Sequence, residues 1–151
     1  MDLGFGSGRD SLFFVSKGFE VVSIDPTPEF CSYGAKIGLN VRCIKAQELD
    51  YCNEFDGIWA CASLLHVPIN ELNSVFNKCY RSLKDNGIMY VSFKYGNFVG
   101  TRGDRYFVDL NEESIGKYIE NTGFIIKDIK ITTDVRPDRN EKWLNVILLK
   151  G

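Results

Sequence analysis

Asp2-Leu3-Gly4-Phe5-Gly6-Ser7-Gly8 is the stretch on which the fold turns. An acidic and an apolar residue run into three glycines at alternate positions. Glycine takes up backbone angles that other residues resist, and without a Cβ it lets a ligand lie against the main chain. Helical periodicity follows at once. The loop therefore predicts the opening of a helix whose unpaired N–H groups face the ligand.

Working outward, the whole chain has the size and composition of one domain with one core. It has 151 residues, 44% of them hydrophobic and 25% charged. Eighteen basic residues against 20 acidic ones give a net charge of −2. Overall charge thus carries no signal for nucleic acid or an anionic membrane. No apolar run approaches the ~20 residues of a membrane span, and no signal peptide opens the chain. The cysteines (Cys31, Cys43, Cys52, Cys61 and Cys79) are odd in number and form no C-x-x-C pair. They read as reduced residues of a cytoplasmic protein. No metal site is expected, because His66 is the only histidine.

In chain order, Met1 to Leu3 read as the end of a strand. A helix with Leu12, Phe13 and Val15 stops at Gly18. Glu20 to Ile24 form a second strand ending at Asp25. Thr27 is a natural N-cap and Pro28 a natural first residue for a helix to about Gly38. Val41 to Ile44 and Phe55 to Ala60 form the third and fourth strands. Leu72, Val75, Phe76, Cys79, Tyr80 and Leu83 fall at helical spacing within 68–83. Asp85-Asn86-Gly87 ends that helix, and Ile88 to Phe93 form a fifth strand. Residues 94–110, with three glycines, read as a long irregular loop. Asn111 caps a helix with Ile115, Tyr118 and Ile119 on its apolar face. Phe124 to Thr132 and Trp143 to Leu149 close the chain as strands. Strands alternating with helices predict a parallel sheet covered on both faces. The last two strands have no helix between them, so they must pair antiparallel.

The loop is one glycine short of the dinucleotide fingerprint, since Arg9 stands where the third glycine is needed. Its form, D-x-G-x-G-x-G, resembles the first motif of the class I S-adenosylmethionine-dependent methyltransferases. Phe55-Asp56-Gly57-Ile58 followed by Cys61-Ala62-Ser63-Leu64-Leu65-His66 is similar to the fourth-strand motif of that superfamily. Arg81-Ser82-Leu83-Lys84 before Gly87-Ile88-Met89-Tyr90-Val91-Ser92 extends the resemblance over nearly the whole chain. Arg9-Asp10-Ser11 and Gly18-Phe19-Glu20-Val21 are similar to small bacterial members of the tellurite-resistance type.

The resemblance implies a Rossmann-like α/β sheet of strand order 3-2-1-4-5-7-6, and S-adenosyl-L-methionine as cofactor. The expected cofactor residues are Asp2, Gly4, Phe5, Gly6 and Gly8 of the loop, Asp25 and Pro26 after the second strand, Gln47, and Cys61 with Ala62. Asp25, 21 residues after Gly4, is placed to accept hydrogen bonds from the ribose hydroxyls; its plainer alternative is a solvated turn residue. Gln47 is placed for the adenine amino group; otherwise it is a surface polar residue. His66 is the one group that titrates near neutrality. It is the candidate base and substrate contact, or else a structural histidine bonded to backbone at a helix entrance. Tyr95, Arg102 and Arg105 are candidate substrate residues, the arginines as a grip on an anionic acceptor, or else parts of a solvated loop. Trp59 and Trp143 read as packing residues.

The expected activity is methyl transfer to a small, preferably anionic molecule. Three alternatives stay open: methylation of a nucleic-acid base, a cofactor-binding domain without catalysis, and nicotinamide dinucleotide binding. A complete buried strand of ~5 residues normally precedes such a loop. The resemblance also implies helical segments upstream. A single domain over 1–151 is expected, N-terminally incomplete, with a shortened first strand and an open cleft.

Overall fold

The computed structural model describes residues 1–151. In chain order the elements are β1 (Asp2–Leu3), α1 (Arg9–Ser16), β2 (Val22–Ile24), α2 (Pro28–Lys36), β3 (Asn40–Arg42), β4 (Phe55–Ala60), α3 (Ile69–Ser82), β5 (Leu83–Lys94), β6 (Val99–Arg102), β7 (Arg105–Val108), α4 (Glu112–Ile119), β8 (Phe124–Thr133) and β9 (Lys142–Lys150). Single 3-10 turns at Ala46–Glu48 and Leu64–His66 follow β3 and β4.

Seven strands form one sheet in the order β3-β2-β1-β4-β5-β9-β8. The first five run parallel, β9 is antiparallel to β5, and β8 is antiparallel to β9. This is the order 3-2-1-4-5-7-6 once β8 and β9 are counted as the sixth and seventh strands. Alternation along the strands sets which face is dry. Met89, Val91 and Phe93 of β5 and Leu144, Val146 and Leu148 of β9 are fully buried. They share a core with Leu72, Val75, Phe76 and Cys79 of α3 and Ile115 of α4. On the other face Trp59 stacks on Tyr90 at 4.1 Å, takes the edge of Phe14, and donates from Nε1 to Asp10 Oδ2.

The caps follow local chemistry. Asn111 Oδ1 accepts from Glu113 N and Ser114 N, and Ser114 Oγ accepts from Asn111 N, a reciprocal cap on α4. Thr27 stands at the N-cap of α2 and Pro28 at its first position, but the Thr27 hydroxyl makes no cap bond. The Asp25 carboxylate accepts from Thr27 N, ahead of the helix.

Two expectations change. Residues 94–110 are not irregular. β6 and β7 pair as an antiparallel hairpin with Arg102 opposite Arg105, turning through Gly103 (φ +64°) and Asp104. Asp85-Asn86-Gly87 does not separate helix from strand: α3 ends at Ser82 and β5 starts at Leu83. The three residues form a bulge, with Asn86 at φ +62°, between the Phe55–Leu83 and Gly57–Ile88 pairings. In α1, Leu12, Phe13 and Val15 are exposed and the buried residue is Ser11. No helix is long and apolar enough to cross a membrane.

Candidate functional site

The glycine loop is tied down at both ends. Gly4 N and Phe5 N donate to Ile24 O. Gly6 N donates to Asp25 Oδ2 at 3.1 Å, while Asp25 Oδ1 accepts from Thr27 N at 2.9 Å. The buried Asp25 carboxylate therefore joins the loop after β1 to the loop after β2. Gly8 caps α1 in the left-handed conformation. Gly4 is also left-handed (φ +83°), and a Cβ there would stand 2.2 Å from Ser63 Cβ. Only a residue without a side chain lets the loop lie against the turn that follows β4.

Between the glycine loop, Pro26, the Ala46–Glu48 turn and the Leu64–His66 turn lies a cleft of about 340 Å³. Of the residues expected from the sequence, Gly4, Pro26, Gln47 and His66 line it. Ser63 lines it too, and its Oγ is buried without a hydrogen-bond partner. Sequence reasoning missed Ser63, because a serine among small residues carries no distinguishing pattern. A buried hydroxyl left unpaired is unfavourable. It is the group of this lining that a polar ligand would satisfy, since the Gly4 N–H is already held by Ile24 O. The residues present thus fit a nucleoside-type cofactor.

The remaining candidates are placed otherwise. The Phe5 ring is buried against Gly34 on α2. Gly6 and Gly8 support the loop from outside the cleft lining. Asp2 is buried beneath the loop, where its Oδ2 accepts from Ser11 Oγ at 2.6 Å. Ala62, at φ +50°, donates from its N to Ser92 Oγ, which also lies 3.8 Å from Cys61 Sγ. Burial pushes the Cys61 thiol up. Gln47 Nε2 donates to Glu71 Oε2 at 2.7 Å, so its amide is oriented from α3.

Tyr95 OH donates to Glu112 Oε2 on the surface. The Arg102 fork is fully engaged by the buried Asp109, at 2.8 and 2.5 Å, and packs on Phe98 and Phe107. It is not free to grip an acceptor. Arg105 is exposed and reaches His66, with Nη2 2.7 Å from Nε2. His66 Nδ1 lies 2.8 Å from the Tyr106 carbonyl. A carbonyl only accepts, so Nδ1 carries the hydrogen and Nε2 the lone pair that Arg105 occupies. Burial lowers the His66 pKa and the Arg105 and Lys94 charges add to that, against the Tyr106 hydrogen bond. These effects together favour the neutral ring. No group of three His, Cys, Asp or Glu side chains is gathered to hold a metal ion.

Burial pushes the Asp2 carboxyl from its ordinary 3.8 up to about 6. Between those values the folded chain keeps a proton that the unfolded chain has released. The contribution of Asp2 to stability is therefore greatest below 3.8 and declines as pH rises to about 6. Replacing Asp2 by Asn should remove a decline on the order of 1–3 kcal/mol across that window. Urea unfolding at a series of pH values checks this. A decline of equal size in Asp2→Asn would assign it to another group.

The sequence profile described as a methyltransferase domain matches residues 1–87, more than half of the chain. An uncharacterised methyltransferase of Staphylococcus carnosus (strain TM300) is 25% identical over 158 residues, covering 97% of this chain and 76% of the relative. Two solved structures share the fold. One is 1,6-didemethyltoxoflavin-N1-methyltransferase of Burkholderia thailandensis, with 1,6-didemethyltoxoflavin and S-adenosylhomocysteine bound. Its TM-score is 0.83 at 22% identity, over 99% of this chain and 69% of that one. The other is a SAM-dependent methyltransferase from Methanosarcina mazei, with TM-score 0.84 at 20% identity, over 99% and 90%. The chain belongs to the methyltransferase domain family, among the class I S-adenosylmethionine-dependent methyltransferases.

Proposed function

We propose that the cleft holds S-adenosylmethionine and that the chain directs its methyl group to a small anionic acceptor. The observation that carries this reading is the cleft itself. Gly4 and the unpartnered Ser63 Oγ meet in its lining, and Asp25, outside that lining, lies in the chain between the lining residues Ile24 and Pro26. Each Asp25 oxygen accepts one backbone N–H and keeps a further lone pair for a ribose hydroxyl. Pro26 and Gln47 would flank the adenine, with Gln47 oriented by Glu71. Ser63 would take a polar group at the β4 end. Asp2 and Phe5 act from beneath, by shaping the loop.

When bound, the cofactor supplies a methyl group already activated by positive sulfur. The chain has only to align the acceptor, exclude water and receive any departing proton. His66 lines the cleft and carries its lone pair on Nε2, the atom that would receive that proton. An anionic acceptor is supported by Arg105, which stands beside His66 and which no carboxylate of the chain neutralises. A small acceptor is supported by the Burkholderia structure, which holds a small molecule in the same fold. The net charge of −2 does not favour a nucleic-acid acceptor.

Calorimetry tests the cofactor half directly. S-adenosylhomocysteine should bind at one site per chain, and NAD should give no heat. Binding of NAD alone would overturn the reading in favour of a dinucleotide.

A further inference from the structure

We propose, resting on that reading, that an anionic group of the acceptor exchanges with His66 on Arg105, so that acceptor binding itself uncovers the base. In the structure the imidazole is held on three sides. Nδ1–H donates to the Tyr106 carbonyl, the ring meets Phe107 at 4.7 Å, and the Nε2 lone pair takes a hydrogen from Arg105. With that lone pair occupied, His66 accepts no proton. The Arg105 side chain is the member of the pair with no other hydrogen-bond partner. It is exposed at the end of the β6–β7 hairpin, and no carboxylate of the chain holds it. Its neighbour Arg102 has its own carboxylate in Asp109.

A guanidinium binds an anionic oxygen more strongly than a neutral nitrogen, because the first bond is charge-assisted. A carboxylate or phosphate brought to the mouth of the cleft therefore draws Arg105 away from the imidazole. Nδ1 stays on Tyr106 throughout, so the ring keeps its orientation while Nε2 is released. The proton then moves in one balanced step. The O–H or N–H bond of the acceptor breaks, its electron pair stays on the heteroatom as the nucleophile, and a new N–H bond forms at Nε2. The imidazolium so formed lies beside the acceptor's own negative group. A neutral analogue leaves Arg105 in place and the base covered. Charge on the acceptor thus becomes a condition for proton removal as well as for binding.

The only histidine in the chain is His66, so its two ring nitrogens can be followed without assignment ambiguity. We would use the full ¹⁵N-labelled chain above neutral pH, with and without S-adenosylhomocysteine, titrated with benzoate and, separately, benzamide. Benzoate should move the Nε2 resonance toward that of an unbonded imidazole nitrogen and leave Nδ1 unchanged; benzamide should move neither. Arg105→Ala should show the unbonded Nε2 signal before any addition and no response to benzoate. Arg105→Lys should bind benzoate more weakly with a smaller change. An Nε2 signal in the wild type that already matches Arg105→Ala would overturn the proposal. So would no response to benzoate up to its solubility limit, or equal responses to benzoate and benzamide. Calorimetry on the same samples separates the two levels of argument. Binding of S-adenosylhomocysteine with an unmoved Nε2 sinks the exchange alone, and loss of that binding sinks the cofactor reading.

Discussion

Replacing Gly4 by Ala should destabilise the protein by roughly 2–6 kcal/mol and abolish S-adenosylhomocysteine binding, the sum of a left-handed residue gaining a side chain and an overpacked contact. The added Cβ would stand 2.2 Å from Ser63 Cβ and 3.5 Å from Ser63 Cα. Ser63 cannot simply step aside. It follows Ala62, which is itself left-handed and bonded through its N to Ser92 Oγ on β5. Its other neighbour, Leu64, is buried. Either the glycine loop or the turn after β4 must move, and the cleft between them changes shape in both cases. Gly6→Ala is the control. Gly6 is also left-handed (φ +54°), but a Cβ there meets nothing within 4 Å. Its cost should be the conformational term alone, about 1–2 kcal/mol. Urea unfolding and calorimetry on the pair check the contrast. Equal losses would mean that the approach of Gly4 to Ser63 is not what holds the loop.

The sheet was legible in the sequence because its elements are strongly marked. The 3.6-residue spacing of Leu72, Val75, Phe76 and Cys79 names the buried face of a helix, and the nearly continuous apolar run from Trp143 to Leu149 marks a strand. The absence of a helix between β8 and β9 then settles the reversed pair at the end of the sheet. The β6–β7 hairpin was not legible, because its strands are four residues each and its glycines look like loop composition. Arg102 explains why it forms: one side chain packs on Phe98 and Phe107 and forks onto Asp109, and none of those contacts has a local signature. The Asp85-Asn86-Gly87 bulge was hidden for a related reason. Turn residues have the same composition whether they end an element or kink one.

At the site, the residues named by backbone need were legible and those named by tertiary contact were not. Gly4 lines the cleft, and Pro26 and Gln47 line it from the turns after their strands. Phe5 faces the core because Gly34 leaves room for its ring. Asp2 faces Ser11, and Arg102 faces Asp109, through pairings nine and seven residues apart that charge counting does not reveal. His66 combines both alternatives read from the sequence. It is bonded to backbone at a helix entrance, and it lines the cleft.

Removing the Asp25 carboxylate should have the other large effect. Asp25→Ala should weaken S-adenosylhomocysteine binding by ~1.5–3 kcal/mol, the scale of hydrogen bonds to a charged group. It should also lower stability, because Gly6 N and Thr27 N lose their acceptor. Two causes of weaker binding are thereby mixed, a lost ribose contact and a loosened loop, and Asp25→Asn separates them. Its amide oxygen still accepts one backbone N–H, so most of the loop order remains while the charge is gone. The ribose contact itself is isolated by changing the ligand as well. Deleting the 2′ and 3′ hydroxyls from 5′-methylthioadenosine should weaken binding to the wild type and have little further effect in Asp25→Ala, because both changes remove the same bonds. Independent losses would add; losses from one contact would not. Additive losses in this cycle would leave Asp25 as the tie between two loops and move the ribose elsewhere in the cleft. Strong non-additivity, with Asp25→Asn stable but weak in binding, places the ribose hydroxyls on Asp25.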